Sequence, residues 1–327
     1  FRVPAGRPIY FLALDERGRA VQRMRTFTHL MPGEVQGCFG CHESRTHSGA
    51  PVTASALRRQ PDELEPPEWG IAGFDYSRIV QPVLDRHCVS CHGAERRDGD
   101  VDLSGDKTDF FNVSYEVLAR GRKRRGEAEW DSPYVNWIPT YNGFEQNILE
   151  VTPKAWGSPR SRLSDLLLDG HPDRDGRPRL AGMTEAERLR VLLWIDLNVP
   201  YYGTSETAYP EQAGCRRIYP ADLDKVLKEV TQRRCVSCHR EGEVPRPFWT
   251  RLENPQWNSF LQAPLARGAG GTERCGTAVF RDTADPDYLA ILRTFDVPLA
   301  QLKARPRLDM PGGVPAVVDR SCLGQVE

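Results

Sequence analysis

The sequence lacks the features of a membrane-spanning or nucleic-acid-binding protein. No stretch approaches the roughly 18 consecutive apolar residues that a membrane helix requires. The 44 basic and 45 acidic side chains leave a formal net charge of −1, without the basic excess that draws proteins to nucleic acids. Lysine is scarce, with six residues, so the basic side chains are mostly arginine. We therefore expect no nucleic-acid partner and no membrane span in this chain.

Cysteine, by contrast, is frequent and arranged in a pattern. Six of the nine cysteines belong to three copies of a Cys-x-x-Cys-His motif. The motif residues are Cys38, Cys41 and His42, then Cys88, Cys91 and His92, then Cys235, Cys238 and His239. Three copies in one chain indicate one repeated chemistry rather than three coincidences.

This motif is the attachment signature of c-type haem. Its two thiols form thioethers to the two vinyl groups on one porphyrin edge, and the histidine that follows binds the iron. Zinc sites pair two Cys-x-x-Cys motifs about 15–20 residues apart, whereas 46 residues (42–87) separate Cys41 from Cys88. A thioredoxin-like redox pair would occur once, beside a βαβ pattern, and none is visible. The motifs therefore predict three covalently bound haem c groups.

Covalent haem also predicts the compartment. Haem is attached outside the cytoplasm, so we expect a periplasmic or extracellular protein. The chain opens on "FRVPAGRP", without an initiator methionine or a signal-peptide pattern. We expect that an export signal lay upstream of this point.

The sequence predicts a mainly α protein with much irregular chain, cytochrome c-like haem modules and a short N-terminal β-hairpin. Residues 8–28 alternate as strands around the turn "DERG". We predict a first segment, 1–70, with the hairpin, the first motif and a linker. Cytochrome c-like domains follow at 71–205 and 206–327, with the second and third haems. Both begin with a helix that closes on the motif, which suggests a divergent duplication.

Local signals define further helices. "SRLSDLLLDG" closes at Gly170, and Thr184 with Glu187 forms a capping box at the start of the next helix. Asp285 caps another short helix, with Pro286 at its first position. The helix after Thr184 has a predicted apolar face for covering a haem or a core, formed by Leu189, Leu192, Leu193 and Leu197.

Four other residues are candidates for the second axial ligand of a haem. His171 lies between two helices, far downstream of the second motif, where small cytochromes c take their distal ligand. His87 abuts the second motif and would serve a neighbouring haem, and His29 would serve some haem of this chain or of another subunit. Met310, in "DMPG", resembles the methionine loop of single-haem cytochromes. Each of these haem-ligand hypotheses has an alternative, in which the residue is an ordinary surface or turn residue.

Two further features stay open at this point. His47 lies five residues after His42, a reach of at most about 17 Å, so it serves another haem or a second metal, or is exposed. The cysteines outside the motifs are Cys215, Cys275 and Cys322. An odd number in an exported protein suggests one disulfide. We favour Cys275 with Cys322, and Cys215 is the competing partner.

Several blocks of sequence resemble the hydrazine synthase alpha subunit and its multihaem relatives. The segment "VPAGRPIYFLALDERGRAVQRMRTFTHLMPGEVQGCFGCHESR" is similar to the region that leads into the family's first haem, and "CGTAVFRDTADPDYLAIL" and "RLDMPG" resemble its C-terminal part. In that family a tyrosine four residues after the first motif histidine takes the iron, and the histidine binds zinc. Here the matching residue is Thr46. The family's second haem has two histidine ligands, which implies His92 with His171.

The third motif departs from the two-haem pattern of that family. Together with the threonine at position 46, it favours electron transfer between redox partner proteins. One alternative is a hydrazine synthase-like oxidoreductase that acts on a small nitrogen compound at the first haem. Another is a subunit of an extracellular cytochrome filament or of a larger electron-transfer complex.

Overall fold

The computed structural model describes residues 1–24, 26–37, 58–120, 137–138, 153–171, 176, 180–212, 216–239 and 243–317. Its elements in chain order are β1 (Leu12–Leu14), β2 (Ala20–Arg23), α1 (Tyr76–Ile79), α2 (Gln81–His87), α3 (Val113–Ala119), α4 (Arg162–Asp169), α5 (Glu185–Asp196), α6 (Leu223–Arg234), α7 (Ser259–Gln262), α8 (Pro286–Arg293) and α9 (Asp296–Ala304). The expected mixture of helices, irregular chain and a short N-terminal hairpin is confirmed.

The chain forms two compact units. The first comprises Phe1–Phe74 and Trp137–Pro200, and the second comprises Asp75–Asn136 and Tyr201–Glu327. The second and third Cys-x-x-Cys-His motifs both belong to the second unit. The division into three segments at residues 70 and 205 stays a prediction.

The hairpin of the first unit follows the predicted alternation. β1 and β2 are antiparallel, with Leu12 opposite Arg23, and a bridge between Ile9 and Thr28 continues the pairing. Gly18 in the connecting turn has a φ of +78°, which glycine adopts without steric cost. The sequence pattern was therefore sufficient to locate this element.

The two helices described in the first unit have capped ends, and the end of α4 at Gly170 and the capping box of α5 were predicted. Ser161 caps α4, which ends at Gly170, and Thr184 and Glu187 form the reciprocal capping box of α5. The last residue of α5, Asp196, is buried and accepts hydrogen bonds from Ala20 N at 2.9 Å and Ser158 Oγ at 2.7 Å. This carboxylate ties the end of α5 to the hairpin.

The buried face of α5 differs from the predicted one. Leu192 is buried as expected, but its buried apolar neighbours are Val191, Trp194 and Ile195. The helix packs on both sides, since it contacts α4 and its Leu189 side chain also lies against Gly18 of the hairpin turn. A helix covered on two sides buries an arc wider than a single leucine stripe.

In the second unit, α6, α7, α8 and α9 enclose an apolar core. Its fully buried members include Leu223, Leu252, Leu261 and Phe295. Asp285 caps α8 through the backbone N–H groups of Asp287 and Tyr288, as the sequence predicts. This core supports the helix that leads into the third motif.

Buried ion pairs join distant parts of the second unit. The guanidinium of Arg251, 1 % exposed, pairs with Asp102 and lies 3.1 Å from Asp106 Oδ2. Arg307 makes a bidentate pair with the neighbouring Asp309 at 3.0 and 2.9 Å, and it also donates to Thr108 O at 2.7 Å. Because buried charges require partners, the contacts of these two arginines fix the irregular chain after the second motif against the C-terminal half.

Candidate haem-binding motifs

The second motif is a continuation of α2. Cys88 is the C-cap of this helix, and its N–H donates to Leu84 O at 2.8 Å. The N–H groups of Cys91 and His92 both donate to Cys88 O, at 3.1 and 2.9 Å. One further turn of chain thus brings both thiols and the imidazole to the end of the helix, as the sequence predicts.

A backbone carbonyl fixes the orientation of the His92 ring. His92 Nδ1 lies 2.9 Å from Asp98 O. A carbonyl oxygen only accepts hydrogen bonds, so Nδ1 carries a proton, and in the neutral ring the lone pair is on Nε2. This is the tautomer that binds a metal through Nε2, with a second hydrogen bond orienting the ring.

The loop that carries this carbonyl is itself held in place. Asp98 N donates to Cys91 O at 3.0 Å, and Leu103 N donates to His92 O at 2.7 Å. The loop turns through Gly99 and Asp100, with φ values of 68° and 60°. The sequence did not predict the contact of Asp98 with His92, because any residue type can supply a backbone carbonyl.

The third motif repeats this local structure at the end of α6. Cys235 is the C-cap and its N–H donates to Thr231 O at 2.9 Å. Cys238 N and His239 N donate to Cys235 O at 3.1 and 2.8 Å. The serine before the second cysteine also lies 3.9 Å from its sulfur in both motifs. The predicted repeat of a helix followed by the motif is therefore present in the structure.

Ion pairs hold the end of α6 against the start of α8. Arg234 contacts Asp287 at 3.1 Å and Asp285 at 3.3 Å, and Arg233 contacts Asp287 at 2.5 Å. Arg234 also donates to Val279 O at 2.5 Å. These contacts position the residue that immediately precedes Cys235.

The first thiol of each described motif is less acidic than an ordinary cysteine. Burial, with smaller contributions from Cys91 and Asp85, raises the pKa of Cys88 to about 11. Burial, followed by the charge of Cys275, raises the pKa of Cys235. Catalytic dithiols instead have a lowered pKa that supplies a thiolate nucleophile. The thiols of Cys88 and Cys235 thus lack the acidity of a catalytic nucleophile.

The two thiols and one imidazole of each described motif fit covalent haem. The sulfurs of the second motif are close enough for their charges to interact, and His92 presents the required tautomer. Within the described residues, no three histidine, cysteine or acidic side chains form a metal-binding group. A haem iron takes only axial ligands from the protein.

The candidate distal ligands lie in both units. His87 is half-buried at the end of α2, His171 is half-buried after α4 in the first unit, and His29 is exposed on the first unit. Met310 is half-buried and packs against the apolar core that includes α6 residues. It lies in a turn in which its N–H donates to Arg307 O at 2.9 Å. The pairing of each candidate with a haem stays a prediction.

Some predicted residues lie outside the described residues. They are Cys38, Cys41, His42, Thr46, His47, Cys215 and Cys322. The described cysteines, Cys275 among them, are free thiols. Both candidate partners of Cys275 lie outside the described part, so the disulfide stays a prediction.

Comparison with known proteins gives one finding. Residues 1–43 match the family model of the hydrazine synthase alpha subunit middle domain. The match includes the hairpin and the first motif, and it supports a loose link to that family over this segment. No curated protein and no solved structure matches the chain. No helix in the described ranges is long and apolar enough to cross a membrane.

Proposed function

We propose that this chain is an exported c-type cytochrome that holds three covalent haems and transfers electrons between redox partner proteins. The observation that carries the proposal is the repeated local structure at Cys88–His92 and Cys235–His239, with both thiols and the histidine in one turn after a helix. When bound, each haem supplies a centre that accepts and releases one electron.

In this proposal each part of a motif has one role. The cysteine pairs hold the haem edges, and His42, His92 and His239 are the proximal ligands. The Asp98 carbonyl orients the His92 ring and makes it a stronger electron donor to iron. His171 is the proposed distal ligand of the second haem and Met310 that of the third. His87 serves a neighbouring haem, and His29 serves a haem of this chain or of another subunit.

The proposal includes a location and an organisation. Covalent haem places the protein in the periplasm or outside the cell. Two cytochrome c-like domains, 71–205 and 206–327, follow the hairpin segment that holds the first haem. The chain's own contribution is to set the spacing, burial and ligation of the haems, which tune their potentials.

The family match favours a second candidate function. The matched segment, residues 1–43, includes the first motif, so a hydrazine synthase-like oxidoreductase would act on a small nitrogen compound at the first haem. The matched family describes an alpha subunit, which also suggests that the chain is part of a larger complex or filament. In such an assembly, exposed His29 would bind a haem of a neighbouring copy.

Carbon monoxide titration of the fully reduced protein separates electron transfer from catalysis. In the electron-transfer reading all haems have two axial ligands, so the absorption spectrum stays unchanged on addition of carbon monoxide. An enzyme requires an open position on iron and gives a carbon monoxide-bound spectrum.

A matched pair of variants locates any response. Cys38→Ala with Cys41→Ala removes the first haem, and Cys88→Ala with Cys91→Ala removes the second. If carbon monoxide changes the spectrum and only the first variant lacks this change, the first haem is open to small ligands. That result would contradict electron transfer and support the oxidoreductase.

A further inference from the structure

A buried acidic side chain in α3 has no part in the motifs described above. Glu116 is 1 % exposed. Its Oε1 accepts a hydrogen bond from Thr108 Oγ1 at 3.3 Å, and its Oε2 accepts none. A buried carboxylate with one long hydrogen bond is poorly solvated, so the site favours the protonated form.

Charged groups surround Glu116 from three parts of the second unit. From its own helix, Arg120 Nε lies 3.7 Å from Oε2, and its guanidinium stacks on the rings of Phe111 and Phe248. From the segment before α3, Asp109 adds a negative charge, and from the C-terminal segment Arg307 adds a positive one. Burial is the largest effect and raises the pKa of Glu116 to about 8.

The neighbouring charges are otherwise matched to partners of their own. Asp109 accepts from Arg217 Nε at 3.2 Å and from Thr250 N at 3.1 Å. Arg307 makes its bidentate pair with Asp309. Glu116 shares only the 3.7 Å contact with Arg120, so it is the member of this cluster whose charge is least compensated.

Three consecutive hydrogen bonds connect α3 with the second motif. Ser114 Oγ donates to Gln81 Oε1 at 2.5 Å, Gln81 Nε2 donates to Leu103 O at 3.1 Å, and Leu103 N donates to His92 O at 2.7 Å. Gln81 and Ser114 are buried. Charges that interact through the buried interior of a protein are screened less than charges in water.

We infer that Glu116 binds a proton when the haem at Cys88–His92 is reduced and releases it on oxidation. The inference rests on the proposed function. On reduction, a redox partner would supply the one electron that the bound haem takes up, and a hydronium ion or buffer acid of the solvent would donate one proton to the Glu116 carboxylate. On oxidation, both leave. The added electron makes the second unit more negative, which raises the proton affinity of a buried carboxylate in the same unit.

The linkage has a defined pH window. Well below pH 8, Glu116 is protonated in both redox states, and well above it the residue is ionised in both. Between these limits the protonated fraction of Glu116 is larger in the reduced protein than in the oxidised protein. Raising the pH therefore favours the oxidised haem. At a fixed applied potential we expect the ratio of reduced to oxidised second haem to fall on the order of threefold from pH 7 to pH 9.

Spectroelectrochemical titration of the three-haem protein from pH 6 to pH 10 tests this inference. The variant is Glu116→Gln, which keeps the shape of the side chain and cannot ionise. The control is Glu229→Gln, an exposed glutamate on α6. Infrared difference spectra between the reduced and oxidised wild-type protein at pH 8 should also show a protonated carboxyl band that shifts in heavy water.

The expected result is a pH-dependent ratio in the wild type and in the Glu229 variant, and a pH-independent ratio in Glu116→Gln. A pH-independent wild type, or a dependence that survives in Glu116→Gln, would overturn the inference. If Glu116→Gln does not fold, the infrared spectrum of the wild type tests the inference instead. The protonated carboxyl band supports the inference, and its absence would overturn it. A protein without haem would instead refute the proposed function, which haem quantitation reveals before the titration.

Discussion

Replacing Cys88 and Cys91 by alanine is expected to lower the covalent haem content from three per chain to two. Both thiols lie in the single turn that follows α2, where Cys91 N and His92 N share the Cys88 carbonyl. Without the thiols no thioether forms, and haem at this site is lost on denaturation. The measurement is intact mass under denaturing conditions, combined with haem quantitation after maturation in an export-competent host.

The matched control is Cys275→Ala. Cys275 is an exposed cysteine outside the motifs, and its variant should keep three haems. A double variant at Cys88 and Cys91 that retains the wild-type haem content would show that this motif is not an attachment site. A dithiol or zinc function would produce that outcome.

Replacing Arg307 by methionine is expected to destabilise the protein by about 3–5 kcal/mol. The side chains of Arg307 and Asp309 are 2 % and 0 % exposed. Arg307 also donates to Thr108 O at 2.7 Å and Phe111 O at 2.8 Å, and Asp309 accepts from Tyr201 Oη at 2.7 Å. The substitution leaves the buried Asp309 carboxylate without its main partner. An unpaired buried charge destabilises a protein far more than the replacement of both charged residues does.

Urea unfolding of the wild type and the variants measures this effect. Arg305→Met is the control, because Arg305 lies two residues away and pairs with Glu211 at an exposed position. Exposed pairs contribute roughly 0–1 kcal/mol. The variant with Arg307→Met and Asp309→Leu should recover part of the lost stability, since neither charge remains. A loss below about 1 kcal/mol in Arg307→Met would contradict this account of the buried pair.

The elements that the sequence predicted correctly are those with local causes. A capping box such as Thr184 with Glu187 depends on residues three positions apart, and the helices before Cys88 and Cys235 show their apolar period directly. The position of each described motif at a helix end followed from the same local pattern. Helix caps and helix ends that depend on residues within one turn can therefore be predicted before the fold is known.

The features that the sequence did not reveal depend on distant residues. The pair of Arg251 with Asp102 spans 149 positions, and neither residue marks the other in the sequence. The sequence did not predict α3, because its seven residues are too few for a clear helical period. The carbonyl of Asp98 orients His92 through its backbone, which any residue could supply. Contacts between residues that are distant in the sequence therefore support the second motif, and local patterns do not reveal them.

We propose above that this chain is a three-haem electron-transfer protein. A low-temperature electron paramagnetic resonance spectrum of the oxidised protein, recorded with haem quantitation, tests it most directly. We expect three haems per chain, all low-spin, with two axial ligands from the protein on each iron. A protein without covalent haem, or one with a high-spin haem open to small ligands, would contradict it.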